Sequence, residues 1–135
     1  MSINKIAHIA IAVDNLAEQI RHYRDVLGLE LVGEEVVEDQ GVRVAFLKVG
    51  ESTIELLEPL HDASPVAKFI AKRGQGIHHI AFDVDDLDES LQGLRQKEIR
   101  LIDENPRPGG HGCQIAFLHP KSTHGVLTEL CSAGS

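Results

Sequence analysis

The sequence has little cysteine, no long apolar run and a shortage of basic charge. Its two cysteines, Cys113 and Cys131, are too few for a disulfide scaffold and lack CxxC spacing, so a reducing compartment is expected. No segment approaches the roughly eighteen consecutive apolar residues of a membrane helix. The opening Met1-Ser2-Ile3-Asn4-Lys5 lacks the basic start and apolar core of a signal peptide, which predicts a soluble cytoplasmic protein. Thirteen Lys+Arg against twenty-one Asp+Glu give a net charge of −8, the wrong sign for a nucleic-acid surface. What remains is ordinary for a folded domain: 135 residues, 42% apolar and 25% charged, long enough to bury one core. The unusual surplus is histidine, of which there are eight.

An internal repeat organises the chain. Shifted by 71 positions, Ile6, His8, Ile9, Ala10, Val13, Asp14, Leu16 and Glu18 recur as Ile77, His79, Ile80, Ala81, Val84, Asp85, Leu87 and Glu89. The same offset pairs Gly41 with Gly112 and Ala45-Phe46-Leu47 with Ala116-Phe117-Leu118. With three further residues in the second copy, Ile54-Glu55-Leu56 lies against Thr128-Glu129-Leu130. The chain therefore reads as one domain, 1–135, made of a repeat over 3–60, a linker over 61–73 and a second repeat over 74–131.

Each copy predicts β–α–β–β–β, an α+β fold. The opening strands, Lys5 to Val13 and Ile77 to Val84, alternate with period two. On the first, Ala7, Ile9, Ile11 and Val13 form one apolar face, while His8, Ala10 and Ala12 form the other, where small neighbours leave space before the imidazole. A helix follows each strand: Asn15 with Glu18, and Asp86 with Glu89, have capping-box spacing. The stripes Leu16, Ile20, Tyr23, Leu27 and Leu87, Leu91, Leu94 have helical spacing, and Gly28 suits a left-handed stop. Strands are expected near 30–37, 42–49 and 53–58, and near 99–104, 113–118 and 126–131. Ser64-Pro65 predicts the start of a short basic linker helix ending at Gly74.

Four residues fall into two equivalent pairs, His8 with Glu55 and His79 with Glu129. Each histidine is on the first strand of its copy and each glutamate on the last, so copies packed about a pseudo-twofold axis would bring all four together. Two imidazoles and two carboxylates suit Co²⁺, Mn²⁺, Ni²⁺, Fe²⁺ or Zn²⁺ with positions left for an oxygen ligand. A single strand histidine among alanines is ordinarily a core residue. Two at equivalent positions, each matched to a carboxylate that is costly to bury, point instead to a metal. Glu58, near Glu55, falls on the opposite face of its strand. The remaining histidines are assigned no ligand role: His78 faces away from His79, His22 lies on the polar side of its helix, His61 is in the linker, and His111, His119 and His124 cluster near the last strands. Cys131 shares the face of Glu129 and is read as a packed thiol.

A duplicated βαβββ unit with His on its first strand and Glu on its last resembles the vicinal oxygen chelate superfamily, the glyoxalase/bleomycin-resistance/dioxygenase group. Within it, the segments Ile6 to Val13, Glu55-Leu56-Leu57-Glu58-Pro59-Leu60, Ser64 to Phe69, Gly76 to Ile80, Phe117-Leu118-His119-Pro120-Lys121-Ser122 and Gly125 to Leu130 resemble the methylmalonyl-CoA epimerase family. The resemblance implies an eight-stranded cupped sheet around a metal, commonly cobalt, and a homodimer. It also implies interconversion of (R)- and (S)-methylmalonyl-CoA by proton removal at C2 through a metal-stabilised enolate. Some members carry a glutamate base on the third strand, where this sequence has Val44; Glu129 is then the expected base, with the second unassigned. Some epimerases have glutamine where this chain has Glu55. An acyl-CoA substrate requires local positive charge, for which Lys68, Lys72, Arg73, Arg107 and Lys121 are the candidates.

Two other readings compete. Glyoxalase I-type isomerisation of a glutathione hemithioacetal uses the same ligand set and proton-transfer logic. A bleomycin-resistance-type binding protein would need none of the four ligands, whose presence argues against it. An extradiol dioxygenase would need an open iron position that Glu55 would fill.

Overall fold

The computed structural model describes residues 1–133; Gly134 and Ser135, the end of the expected domain, lie outside the described residues. The chain forms two compact units, His8–His78 and Met1–Ala7 together with the chain from His79 onward. Strand β1 (Ile3–Ala12) runs from one unit into the other.

In the unit of His8–His78, β1 leads into helix α1 (Leu16–Ile20), then β2 (Glu30–Val37), β3 (Val42–Val49) and β4 (Ser52–Pro59), and the unit closes with α2 (Pro65–Arg73). β4 pairs parallel to β1 and antiparallel to β3, which pairs antiparallel to β2. Period-two alternation gives this sheet two apolar faces. Val13, Ala45, Leu47 and Leu56 pack under Leu16 and Ile20 of α1. On the other face Ala10, Ala12, Val42, Val44, Phe46 and Leu57 are covered by Val66, Phe69 and Ile70 of α2. The local signals act as read: Asn15 accepts from the Glu18 N–H, Ser64 accepts from the Val66 N–H, and Pro65 takes the first helical position.

The other unit repeats the plan with β5 (Gly76–Val84), α3 (Leu87–Gln96), β6 (Arg107–Pro108), β7 (Gln114–Leu118) and β8 (Thr128–Ser132). β8 is parallel to β5 and antiparallel to β7, which pairs with β6. Asp86 accepts from the Glu89 N–H, and Leu87, Leu91 and Leu94 pack on Val84, Ala116, Leu118 and Leu130. Ala81, Ile115, Phe117 and Cys131 line the opposite face. The expected α+β architecture of two tandem βαβββ modules is thus present, joined by the expected linker helix.

Two expectations are corrected. Leu27 does not complete the α1 stripe: a π-helical turn over Arg21–Val26 follows α1, with the Leu27 N–H bonded to the His22 carbonyl five residues back. The wider turn rotates the stripe off the sheet, leaving Val26 and Leu27 72% and 57% exposed. Gly28 still ends the segment, at φ 78°. The strand expected at 99–104 shrinks to a single bridge, Leu101 with Leu118, and regular pairing is delayed to Arg107–Pro108. Pro106 and Pro108 have no N–H to lend a ladder. In its place the Asp103 carboxylate accepts the Phe117 N–H at 2.9 Å.

Candidate metal centre

Parallel pairing of β1 with β4 sets Ala10 beside Glu55, so by alternation His8 and Glu55 share a face, one step apart along the strands. Their side chains meet: His8 Nδ1 lies 2.8 Å from Glu55 Oε2. In the other unit β5 and β8 set Ala81 beside Glu129, and His79 Nε2 lies 3.2 Å from Glu129 Oε1. The alanines between, Ala10 and Ala81, are fully buried and leave room for the larger side chains.

Burial distinguishes the pairs. His79 and Glu129 are 3% and 2% exposed, whereas the Glu55 side chain retains 15%. A carboxylate as buried as Glu129 costs several kcal/mol unless a positive charge faces it. Imidazole supplies that charge only when protonated; a divalent cation supplies it at any protonation state in which the ligands bind. The donor sets fit such an ion. Two ligands at right angles, each about 2.1 Å from the ion, are about 3 Å apart, and the two nitrogen–oxygen distances fall on either side of that. Each pair offers one imidazole nitrogen and one carboxylate oxygen, a borderline donor set suited to first-row divalent metals.

Glu58 points to the helix side of β4, where it accepts the Leu16 N–H at 2.9 Å, so it helps begin α1. His78 packs edge-on to Phe69 at 5.0 Å. His22, His61, His111 and His124 are exposed, and His119 caps a turn by accepting the Lys121 N–H. Cys131 is the packed thiol expected of it, donating to the Phe82 carbonyl at 3.7 Å. Val44, 2% exposed, is sealed in the apolar cluster under α2.

Residues 7–117 match the family model of the glyoxalase/bleomycin resistance protein/dioxygenase superfamily. A mitochondrial methylmalonyl-CoA epimerase of Dictyostelium discoideum is 42% identical over 132 residues, covering 96% of this chain and 79% of that protein. An ethylmalonyl-CoA/methylmalonyl-CoA epimerase of Cereibacter sphaeroides is 38% identical over 130 residues, covering 95% and 97%. Among solved structures, a methylmalonyl-CoA epimerase in complex with methylmalonyl-CoA and NH4+ superposes with a TM-score of 0.96 at 44% identity, over 99% of this chain and 97% of that one. The chain belongs to the methylmalonyl-CoA epimerase family of this superfamily.

Within that family setting the cationic candidates divide. Lys68, Lys72 and Arg73 are exposed on α2, and Lys121 is exposed near the end of β7. Arg107 differs: its Nε donates to Asp103 at 2.9 Å and its guanidinium sits 5.7 Å above the Phe117 ring. Asp103 was not singled out by the sequence, because it lies where a strand was expected. Its signal was the i,i+4 spacing to Arg107 across a proline-bearing stretch.

Proposed function

We propose that the chain is a metal-dependent epimerase that interconverts (R)- and (S)-methylmalonyl-CoA, and that His8, Glu55, His79 and Glu129 together hold one divalent ion, cobalt first among Co²⁺, Zn²⁺, Mn²⁺ and Ni²⁺. The observation that carries this is Glu129, a carboxylate buried to 2% exposure beside an equally buried imidazole at the repeat-equivalent position of His8 and Glu55. The likeness to epimerases over nearly the whole chain supports the substrate class. The same reading takes the chain as one cytoplasmic domain over 1–135 that assembles as a homodimer.

A bound divalent ion supplies a Lewis acid for the negative charge that builds on the thioester oxygen when C2 loses its proton. The residues do the rest. His8 and His79 are neutral nitrogen donors held by strand pairing, and Glu55 is a carboxylate donor with a face towards solvent. Glu129 is one base, taking the C2 proton from its own face, since Val44 leaves no carboxylate on β3; inversion requires a second, unassigned group to protonate the opposite face. Lys68, Lys72, Arg73 and Lys121 are the exposed charges available to CoA phosphates.

The test is deuterium incorporation at C2 of methylmalonyl-CoA in D₂O, followed by NMR with Co²⁺-loaded protein. Wild type exchanges, and Glu129→Gln lowers the rate by about 10²-fold or more, the scale of general-base catalysis. No exchange by metal-loaded wild type, or turnover of a methylglyoxal–glutathione adduct in its place, overturns the reading.

A further inference from the structure

We infer that Arg107 is a positioning residue for His79, acting through the ring of Phe117. The inference rests on the assignment of His79 as a ligand made above. Phe117 is directly opposite Glu129 in the β7–β8 register, and its ring stands nearly perpendicular to the His79 imidazole, centroids 5.0 Å apart and planes at 85°. The wall beside this imidazole is therefore an aromatic ring, and the angle of that ring limits how the imidazole can turn about its own bond.

Phe117 is held at two points. Its N–H donates to Asp103 Oδ2 at 2.9 Å, and the guanidinium of Arg107 lies 5.7 Å from its ring centroid. One carboxylate organises both contacts, because Asp103 Oδ1 takes the Arg107 Nε at 2.9 Å. Asp103 thus bridges the backbone of Phe117 and the cation over its ring, and the ring passes that constraint to His79.

The duplication shows that the fold itself does not require this cation. Phe46 is the counterpart of Phe117, and it faces Glu55 as Phe117 faces Glu129. Arg107 pairs with Ile115, whose counterpart Val44 pairs with Glu35. The place in the lattice that carries a cation in one module carries an anion in the other. A charge of either sign satisfies the sheet, so the arginine is specific to the wall of His79. An ammonium would hold the ring less well, because it offers only a compact point charge on a flexible stem, whereas the planar guanidinium also stacks on the aromatic face.

The experiment compares wild type, Arg107→Met, Arg107→Lys, Phe117→Leu and the double variant Arg107→Met/Phe117→Leu. Co²⁺ affinity is read by competition with a chelator, and the His79 ring-proton resonances are read by NMR in metal-free protein. Arg107→Met should weaken Co²⁺ binding about tenfold, the lower end of the effect of outer-layer partners. It should also move the His79 resonances in the direction seen in Phe117→Leu. Arg107→Lys should recover part of both changes, and Arg107→Met should add nothing once Phe117 is leucine. Unmoved His79 resonances in Arg107→Met, or an undiminished effect in the Phe117→Leu background, overturns the inference. Failure of the ligand assignment is separable: it appears as unchanged Co²⁺ binding in His79→Ala, and the metal-free resonances then decide the positioning alone.

Discussion

Adjacent residues on β5 have opposite surroundings, and the difference follows from alternation. His79 is 3% exposed against Glu129, while its neighbour His78 packs on Phe69 of α2. Removing the first takes a nitrogen donor from the proposed site and leaves a buried carboxylate without its imidazole. Removing the second takes away the ring contact with Phe69 and no ligand of the proposed site. His79→Ala is therefore expected to reduce Co²⁺ affinity by at least about 10²-fold, the scale on which a lost ligand exceeds the 10–100-fold effect of an outer partner. His78→Ala should stay within about twofold, its cost appearing as stability, roughly 1 kcal/mol, the usual value of an aromatic pair. Equilibrium dialysis with metal analysis checks the first, and urea unfolding the second. Equal loss of metal in both variants would remove the distinction on which the assignment stands.

At the scale of elements, the π-helical turn after α1 makes two residues of one apparent stripe behave differently. Ile20 is 7% exposed on the sheet side of α1, and Leu27 is 57% exposed. Ile20→Ala should cost about 2–5 kcal/mol as a core truncation, and Leu27→Ala should stay within about 0.5 kcal/mol as a surface change. Urea midpoints measure both, and comparable losses would show that the stripe is continuous after all. The same turn marks a limit of what sequence periodicity conveys. The β–α–β–β–β order, both helix caps and the faces of β1 and β5 were legible because each is a local pattern, repeated 71 residues later and read twice. The His–Glu pairs were legible for the same reason. The π turn was not, since one extra residue per turn leaves no trace in composition. Nor was the role of Asp103. A side chain that takes a strand's hydrogen bond looks, in sequence, like one more polar residue between prolines.

For the whole molecule, the question is whether two half-sites of identical chemistry serve one ion or two. Each pair alone supplies two donors, and a first-row divalent ion held by two protein ligands would be bound weakly, with solvent filling the remaining positions. The proposed set of four donors would bind one ion far more tightly and set two positive charges against two carboxylates, of which Glu129 is buried. This predicts one Co²⁺ per chain. At free ion about a hundredfold above its dissociation constant the native state gains about 2.7 kcal/mol. For a chain of this length that raises the melting temperature by about 10 °C. His8→Ala and His79→Ala should each abolish most of that rise, although the two residues lie in different modules, because either loss breaks the same set. Independent half-sites would behave otherwise: two equivalents would bind, and His8→Ala would leave the His79–Glu129 equivalent and its share of the stabilisation intact. A chelator titration followed by calorimetry decides between them, and one equivalent bound by His8→Ala with an unchanged share of the stabilisation would overturn the shared site while leaving each pair's own geometry untouched.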